Sequence, residues 1–294
     1  DFLTDDEKTA YFPFTNGIVQ VTKDKTEMLT YGSCKKHIWK SSKIDFEFQS
    51  STLINESGQI QWDDIYDYPE FIYLICGKDM GRFMSACTLI GYLLHSYKDA
   101  TRPFAAILAE ETDNEAKGGG TGKGIFVKAL EKLLKNETID GKNFRQDKSF
   151  LYQRIGWDTR LMTIQDARSK LDFEGLYSLI TEGITVEKKG QDEFFIPFSK
   201  SPKLIITTNY SVPSDGVHAK RRQKVLPFSD FFGAELTPMD HFGHQLFDGW
   251  DVAQWGIFYN FMMDCVRIYL TKGVVDTQIN DGMRFKAIKI KFGD

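Results

Sequence analysis

The apolar positions of this chain fall into blocks of two-residue and of helical period. Ile18-Val19-Gln20-Val21 follows the turn signal Asn16-Gly17 and alternates as a half-buried strand does. Ile44-Asp45-Phe46-Glu47-Phe48 repeats that alternation, so residues 1–65 are expected to form a β-rich N-terminal segment. From Tyr68 to Tyr97 the period becomes helical. Tyr68, Phe71, Ile72 and Ile75 share one face, and beyond Gly77 the set Phe83, Cys87, Leu89, Ile90, Leu93 and Leu94 makes a second buried stripe. This predicts a helical, collar-like subdomain over 66–100, closed by Pro103. Short apolar runs then read as strands: Phe104–Ala109, Arg160–Asp166, Lys203–Asn209 and Lys224–Phe228. Ile184 to Ile196 reads as a hairpin turning at Gly190, while Asp172–Ile180 and Phe242–Leu270 read as helical. The pattern predicts an α/β core at 101–235 around a central parallel sheet, then a C-terminal helical lid at 236–294.

Composition narrows the class. With 294 residues, 41% hydrophobic and 27% charged, the chain has material for one large domain or two modest ones with a substantial core. No apolar run is long enough to cross a bilayer and nothing at the start resembles a signal peptide, so no membrane partner is expected. Cys34, Cys76, Cys87 and Cys265 are scattered without metal-type spacing, which suits a reducing, cytoplasmic setting in a host or bacterium. The first residue is Asp1 rather than Met, as expected of a piece of a longer polypeptide. A net charge of −4 confines any grip on nucleic acid to local patches. Cys34-Lys35-Lys36-His37-Ile38-Trp39-Lys40-Ser41-Ser42-Lys43 offers one, four lysines around one indole. It suits single-stranded nucleic acid, but a solvated strand edge with a core tryptophan is the favoured reading. His241 and His244 have the spacing of a helical metal pair, with no third ligand evident.

The densest chemistry lies at Gly118-Gly119-Gly120-Thr121-Gly122-Lys123-Gly124, between the strand at 104–109 and a helical segment beginning Ile125-Phe126-Val127. Strand, glycine loop with lysine, then helix is the layout of a phosphate-binding P-loop. Glycines let backbone N–H groups close on an anion, the helix adds the positive end of its dipole, and Lys123 adds a charge for β- and γ-phosphates. Against the full pattern, Lys117 stands where a glycine is usual and Gly124 where Ser or Thr would supply a magnesium ligand, leaving water or Thr121 to substitute. Asp166, at the end of an apolar strand, is placed to hold magnesium, and Asn209, ending another, suits either the orienting of an attacking water or the start of a turn. A planar guanidinium at Arg221 or Arg222 suits a transition-state phosphoryl group.

The succession of P-loop, acid-ended strand, hairpin with Lys188 and Lys189 at its tip, strand ending in Thr-Asn and double arginine resembles superfamily 3 helicases. These are AAA+-like hexameric motors of small DNA viruses, and the likeness is greatest to the phage and poxvirus-type primase-helicase branch. It covers residues 70–235 well and the flanks loosely. The resemblance implies Lys123 as the P-loop lysine, Asp166 as the second acid of the magnesium motif and Asn209 as the sensor. It implies Arg221 or Arg222 as a finger reaching a neighbouring subunit's nucleotide, and Lys188 and Lys189 on the hairpin that grips one DNA strand. ATP and Mg2+ are the implied cofactors. Single-stranded or forked DNA, a homo-hexamer and an upstream primase domain are the implied partners.

Gln165 departs from the usual acidic pair, because a glutamine aligns water but does not accept a proton as a carboxylate does. Glu174 is a candidate substitute. Gln165 and Gly124 together favour a rival reading, a nucleotide-gated DNA-binding or loading module with little hydrolysis. A P-loop kinase for a small molecule is a third reading, and it explains neither the basic hairpin nor the double arginine.

Overall fold

Three strands, β1 (Ala10–Phe14), β2 (Gly17–Val21) and β3 (Thr26–Leu29), form an antiparallel sheet in that order. The computed structural model describes residues 1–54, 66–111, 119–168, 171–210 and 221–277. Two units are distinguished: Asp1–Tyr97 with Lys117–Leu133 and Phe228–Gln278, and Lys98–Ala116 with Leu134–Pro227 and Ile279–Asp294.

In the first unit, the β1–β2 hairpin closes with Phe14 opposite Gly17. Ile44–Phe48 is not the strand that its alternation predicts. Only Ile44 bridges Phe14, and the rest is irregular. Turn side chains take the partners that a ladder would have used: Asn16 donates to the Phe48 carbonyl at 2.9 Å and accepts from its amide at 3.0 Å, and Thr15 Oγ1 donates to the Phe46 carbonyl at 2.6 Å. The helical block splits into α1 (Asp67–Ile75) and α2 (Met80–Leu94), with Gly77 and Lys78 left-handed between them and Asp79 capping α2 through the Arg82 amide.

Later in the same unit come α3 (Lys123–Glu131), a short α5 (Pro238–Phe242) and the long α6 (Val252–Lys272), the last two each opened by a capping box. Gly91 lets α2 and α6 touch: a Cβ there would meet the Cys265 carbonyl and come within 2.6 Å of Tyr269 Cβ. Cys87 in α2 and Cys265 in α6 are fully buried, as is Cys76 just after α1, and burial followed by the neighbouring Cys87 thiol pushes the Cys265 thiol well up. Tyr68, Phe258 and Phe261 add edge-to-face ring contacts, and Asp67 gathers His244 Nε2 at 2.7 Å and Trp250 Nε1 at 3.0 Å. His241 meets Glu70 at 3.1 Å, so both histidines of the spaced pair face carboxylates at the start of α1.

The second unit holds a five-stranded sheet in the order β10-β4-β9-β6-β5, built from β4 (Ala105–Glu110), β5 (Asn136–Asp140), β6 (Leu161–Ala167), β9 (Lys203–Thr208) and β10 (Gln223–Phe228). The pairs β4–β9, β9–β6 and β6–β5 are parallel. Every residue of β4 and β9 is buried, as expected of central parallel strands covered on both faces, whereas the polar Asn-Glu-Thr-Ile-Asp of β5 forms an edge. Ile107, Ile164 and Ile206 pack with Leu176, Ile184 and Ile196 in the core of this unit. The helix predicted over Asp172–Ile180 shortens to α4 (Tyr177–Thr181), because Asp172 Oδ1 takes the Gly175 amide at 3.1 Å and holds a turn in its first half. A separate hairpin of β7 (Gly183–Val186) and β8 (Phe194–Pro197) turns at Gly190, φ 74°.

Lys98 belongs to this unit and makes its stability pH-dependent. Its ammonium donates to Ser201 Oγ at 2.7 Å and lies 4.3 Å from the Phe198 ring centroid, and burial lowers its pKa to about 7. The folded state therefore binds fewer protons than the unfolded chain between pH 7 and the ordinary lysine value of about 10.4, and stability from this group rises with pH across that window. Below pH 7 both states are protonated and the burial cost is full. Lys98→Met is expected to raise the Tm more at pH 6 than at pH 10; an equal or reversed increment in thermal melts would contradict this assignment.

Candidate nucleotide site

The glycine loop belongs to the first unit. Gly119, Gly120 and Gly122 have φ of 115°, 83° and 97°, backbone that L side chains rarely adopt, and Gly122 is the N-cap of α3. Gly122 is fixed doubly, since a Cβ would come within 2.7 Å of the Phe71 ring on α1. Gly118 lies outside the described residues. Lys123, the first residue of α3, is buried (7% exposed), and its Nζ donates to Thr121 Oγ1 at 3.2 Å. Thr121 is itself buried, while Gly124 is exposed, and among the described residues nothing would lie within 4 Å of a Cβ there. Packing of the described residues therefore leaves room for the serine or threonine that position 124 lacks. The helix behind the loop is anchored by buried Phe126, which meets Phe228 edge-on at 6.0 Å.

Asp166, Asn209 and the hairpin lysines belong to the second unit. Asp166 sits in a bulge. Ile164 pairs with Ile206 and Ala167 with Thr208, so Gln165 and Asp166 oppose Thr207 alone. The extra residue is accommodated by turning Asp166 left-handed, φ 54°, with its amide donating to Thr207 Oγ1 at 2.9 Å. Thr208 Oγ1 donates to the Ala167 carbonyl at 2.8 Å, so two hydroxyls of β9 stitch the bulged end of β6. Gly141 packs under it, because a Cβ there would strike the Gln165 carbonyl and lie 2.7 Å from the Ala167 amide nitrogen. The result is a half-buried carboxylate in strained backbone beside an exposed Gln165. Asn209 follows β9 as an exposed residue. The chains leaving adjacent β4 and β9 lead to opposite edges of the sheet, to β5 and β10, which makes their carboxyl ends a topological switch point.

On the β7–β8 hairpin, Lys189 is exposed and Lys188 lies over the Phe194 ring at 5.4 Å. Sequence patterning missed the aromatic company these lysines keep. Trp157 (43% exposed) stacks on Phe194 at 6.0 Å and 21°, Lys200 reaches within 5.8 Å of Trp157, and Phe195 is 54% exposed. Only the adjacent pair Phe194-Phe195 in β8 hinted at this. Of the two arginines, Arg222 is stacked 4.5 Å above Tyr177 of α4, and Arg221 is exposed. Glu174 lies in the turn before α4 and is exposed.

A family profile described as "Family of unknown function (DUF5906)" matches residues 116–222. No curated protein matches the chain. Among solved structures, the chain is similar to the A form apo structure of the NrS-1 C-terminal region, with TM-score 0.45 and 16% identity over 96% of this chain and 72% of that one. It is also similar to JCV helicase bound to a thiazolopyridinyl-phenoxy acetamide (TM-score 0.36, 12% identity, 77% of this chain and 66% of that one) and to the X-ray structure of JCV helicase (TM-score 0.31, 10% identity, 76% and 67%). These are likenesses of backbone path and are silent on activity. Among the described residues, no helix is long and apolar enough to cross a membrane.

Proposed function

We propose that the chain is an ATP-driven DNA translocase or helicase of the viral or phage replication type, working as a hexamer. The observation that carries this reading is the glycine loop: left-handed backbone at residues 119, 120 and 122 runs directly into the N-terminus of α3 with a buried lysine as its first residue. Lys123 and the loop amides hold the triphosphate tail. The half-buried Asp166 carboxylate is a hard oxygen donor that fits magnesium, which when bound neutralises phosphate charge. Asn209 orients the attacking water. Arg221, exposed where Arg222 is engaged with Tyr177, is the better finger for a neighbouring subunit's nucleotide. Lys188 and Lys189 follow the phosphates of one DNA strand while Trp157 and Phe195 offer faces to its bases.

The rival reading, a nucleotide-gated DNA-binding or loading module, is favoured by one specific combination. Among the described residues, position 124 has space for a hydroxyl and carries none, and Gln165 stands exposed beside Asp166 where a second carboxylate would act as base. Steady-state ATP hydrolysis with and without single-stranded DNA separates the two. DNA-stimulated turnover supports the motor, and tight ATP binding without turnover supports the switch. Replacing both Lys188 and Lys189 with Ala is expected to weaken single-stranded DNA binding and flatten its dependence on salt by about 1.4 in log–log slope, at about 0.7 per phosphate released, with ATP affinity unchanged. An unaltered slope in anisotropy titrations would remove the hairpin from the DNA path.

A further inference from the structure

The lysine-rich segment after β3 is not the strand edge that its sequence suggested. It is a loop pinned at both ends to one residue: the Tyr31 hydroxyl donates to the Phe14 carbonyl, and Ile44 bridges the same Phe14. Between these anchors two single-turn 3-10 segments, Tyr31–Ser33 and Lys40–Ser42, fold the chain around a cavity of about 480 Å³. Tyr31, Lys36, His37, Trp39, Lys40 and Lys43 are among the residues that line it. Trp39 is not a core residue but half-buried, and its indole is held flat against Phe2, 4.1 Å between centroids and 7° between planes. That arrangement is fixed by backbone as well as by rings, since the Leu3 amide donates to the His37 carbonyl at 2.8 Å and the His37 amide to the Asp1 carbonyl at 3.0 Å.

Charge gives the cavity its ligand class. From Thr30 to Ile44 the chain carries Lys35, Lys36, Lys40 and Lys43 and no Asp or Glu, in a protein whose net charge is −4. Among the described residues, Lys36, Lys40 and Lys43 have no carboxylate partner. Exposed ammonium groups around a pre-stacked aromatic pair are what a flexible polyanion with planar rings requires, whereas a merely solubilising edge would have its aromatic buried in the core. We propose that this N-terminal cavity is a second binding site for single-stranded nucleic acid, in which Phe2 holds the Trp39 indole in place for a base to stack on and Lys36, Lys40 and Lys43 neutralise the flanking phosphates. The site does not depend on nucleotide hydrolysis or on the hairpin lysines.

The test is binding of a fluorescein-labelled oligothymidylate to the full chain carrying Lys188→Ala and Lys189→Ala, without ATP, followed by anisotropy over a range of salt. Adding Lys36→Glu, Lys40→Glu and Lys43→Glu, all at exposed positions, is expected to lower affinity by tenfold or more and to reduce the salt slope by about 2, at about 0.7 per phosphate for single strands. Trp39→Ala is expected to lose about tenfold, and binding is expected to quench tryptophan emission in the parent but not in Trp39→Phe. Unchanged affinity and slope in the charge-reversed protein overturn the proposal, even should Trp39→Ala prove unstable. Thymidine monophosphate binding as tightly as the oligonucleotide also overturns it, since the cavity would then be a mononucleotide site. Failure here with DNA-stimulated ATP hydrolysis intact leaves the motor reading standing, so the two are separable.

Discussion

Lys123→Ala is expected to lower ATP hydrolysis by at least about 10² to 10³-fold, the scale on which removing one preorganised group that faces developing charge acts, and to weaken ATP binding as well. The expectation rests on where the ammonium is held. Lys123 is buried at the first position of α3, and its Nζ donates to a hydroxyl of the loop itself, Thr121 Oγ1 at 3.2 Å, which a phosphate oxygen would outcompete. The fold is expected to survive, because alanine is the best helix former and the cap geometry at Gly122 is untouched. Binding of a fluorescent ATP analogue, steady-state turnover and far-UV circular dichroism are the three measurements. Wild-type turnover in a folded Lys123→Ala protein would end the P-loop assignment.

Asp166→Asn carries the second large effect. Asparagine tolerates left-handed backbone, so the bulge at φ 54° and the hydrogen bond to Thr207 Oγ1 are expected to persist. What changes is the carboxylate. An amide oxygen is a weaker ligand for a hard divalent cation, and hydrolysis is expected to fall about 10² to 10³-fold while metal-free nucleotide binding stays within about twofold. Asp166→Ala differs in kind, adding roughly 1–2 kcal/mol of backbone strain to the loss of the ligand. A urea unfolding series distinguishes them: a lowered midpoint for the alanine variant and little change for the asparagine variant. Equal turnover in Asp166→Asn and wild type would place the metal-binding acid elsewhere.

The parallel sheet was legible because Phe104–Ala109 is a continuous apolar run and Lys203–Asn209 is centred on another, Leu204-Ile205-Ile206, as suits strands buried on both faces. The helices α1 and α2 were legible for the corresponding reason, a stripe repeating at helical period, whereas the aromatic-rich stretch Phe242–Leu270 becomes the helix α6 only from Val252 onward. Ile44–Phe48 misled because alternation records which side chains are half-buried and not whether the backbone has a ladder partner, and here Thr15 and Asn16 supplied the hydrogen bonds instead. At the candidate site the loop glycines and Lys123 were legible as a local motif. The bulge at Asp166 was not, since it exists only in the register of β6 against Thr207 and Thr208, some forty residues away. The same holds for Gly122 seated on Phe71, for Trp157 beside Phe194, and for Phe2 flat on Trp39. Each is a meeting of residues distant in sequence, which periodicity does not encode.

The distribution of sulfur has a practical consequence. All four cysteines fall in the unit that carries the glycine loop, three of them buried among its helices and Cys34 alone reachable, on the wall of the basic cavity. Alkylation kinetics thus separate into a prompt event that senses occupancy of that cavity and a slow trio that times the opening of its host unit. Because the unit with the five-stranded parallel sheet has no thiol, it leaves no trace in such an experiment, and one reagent yields a stopwatch for half of the molecule without any engineered label.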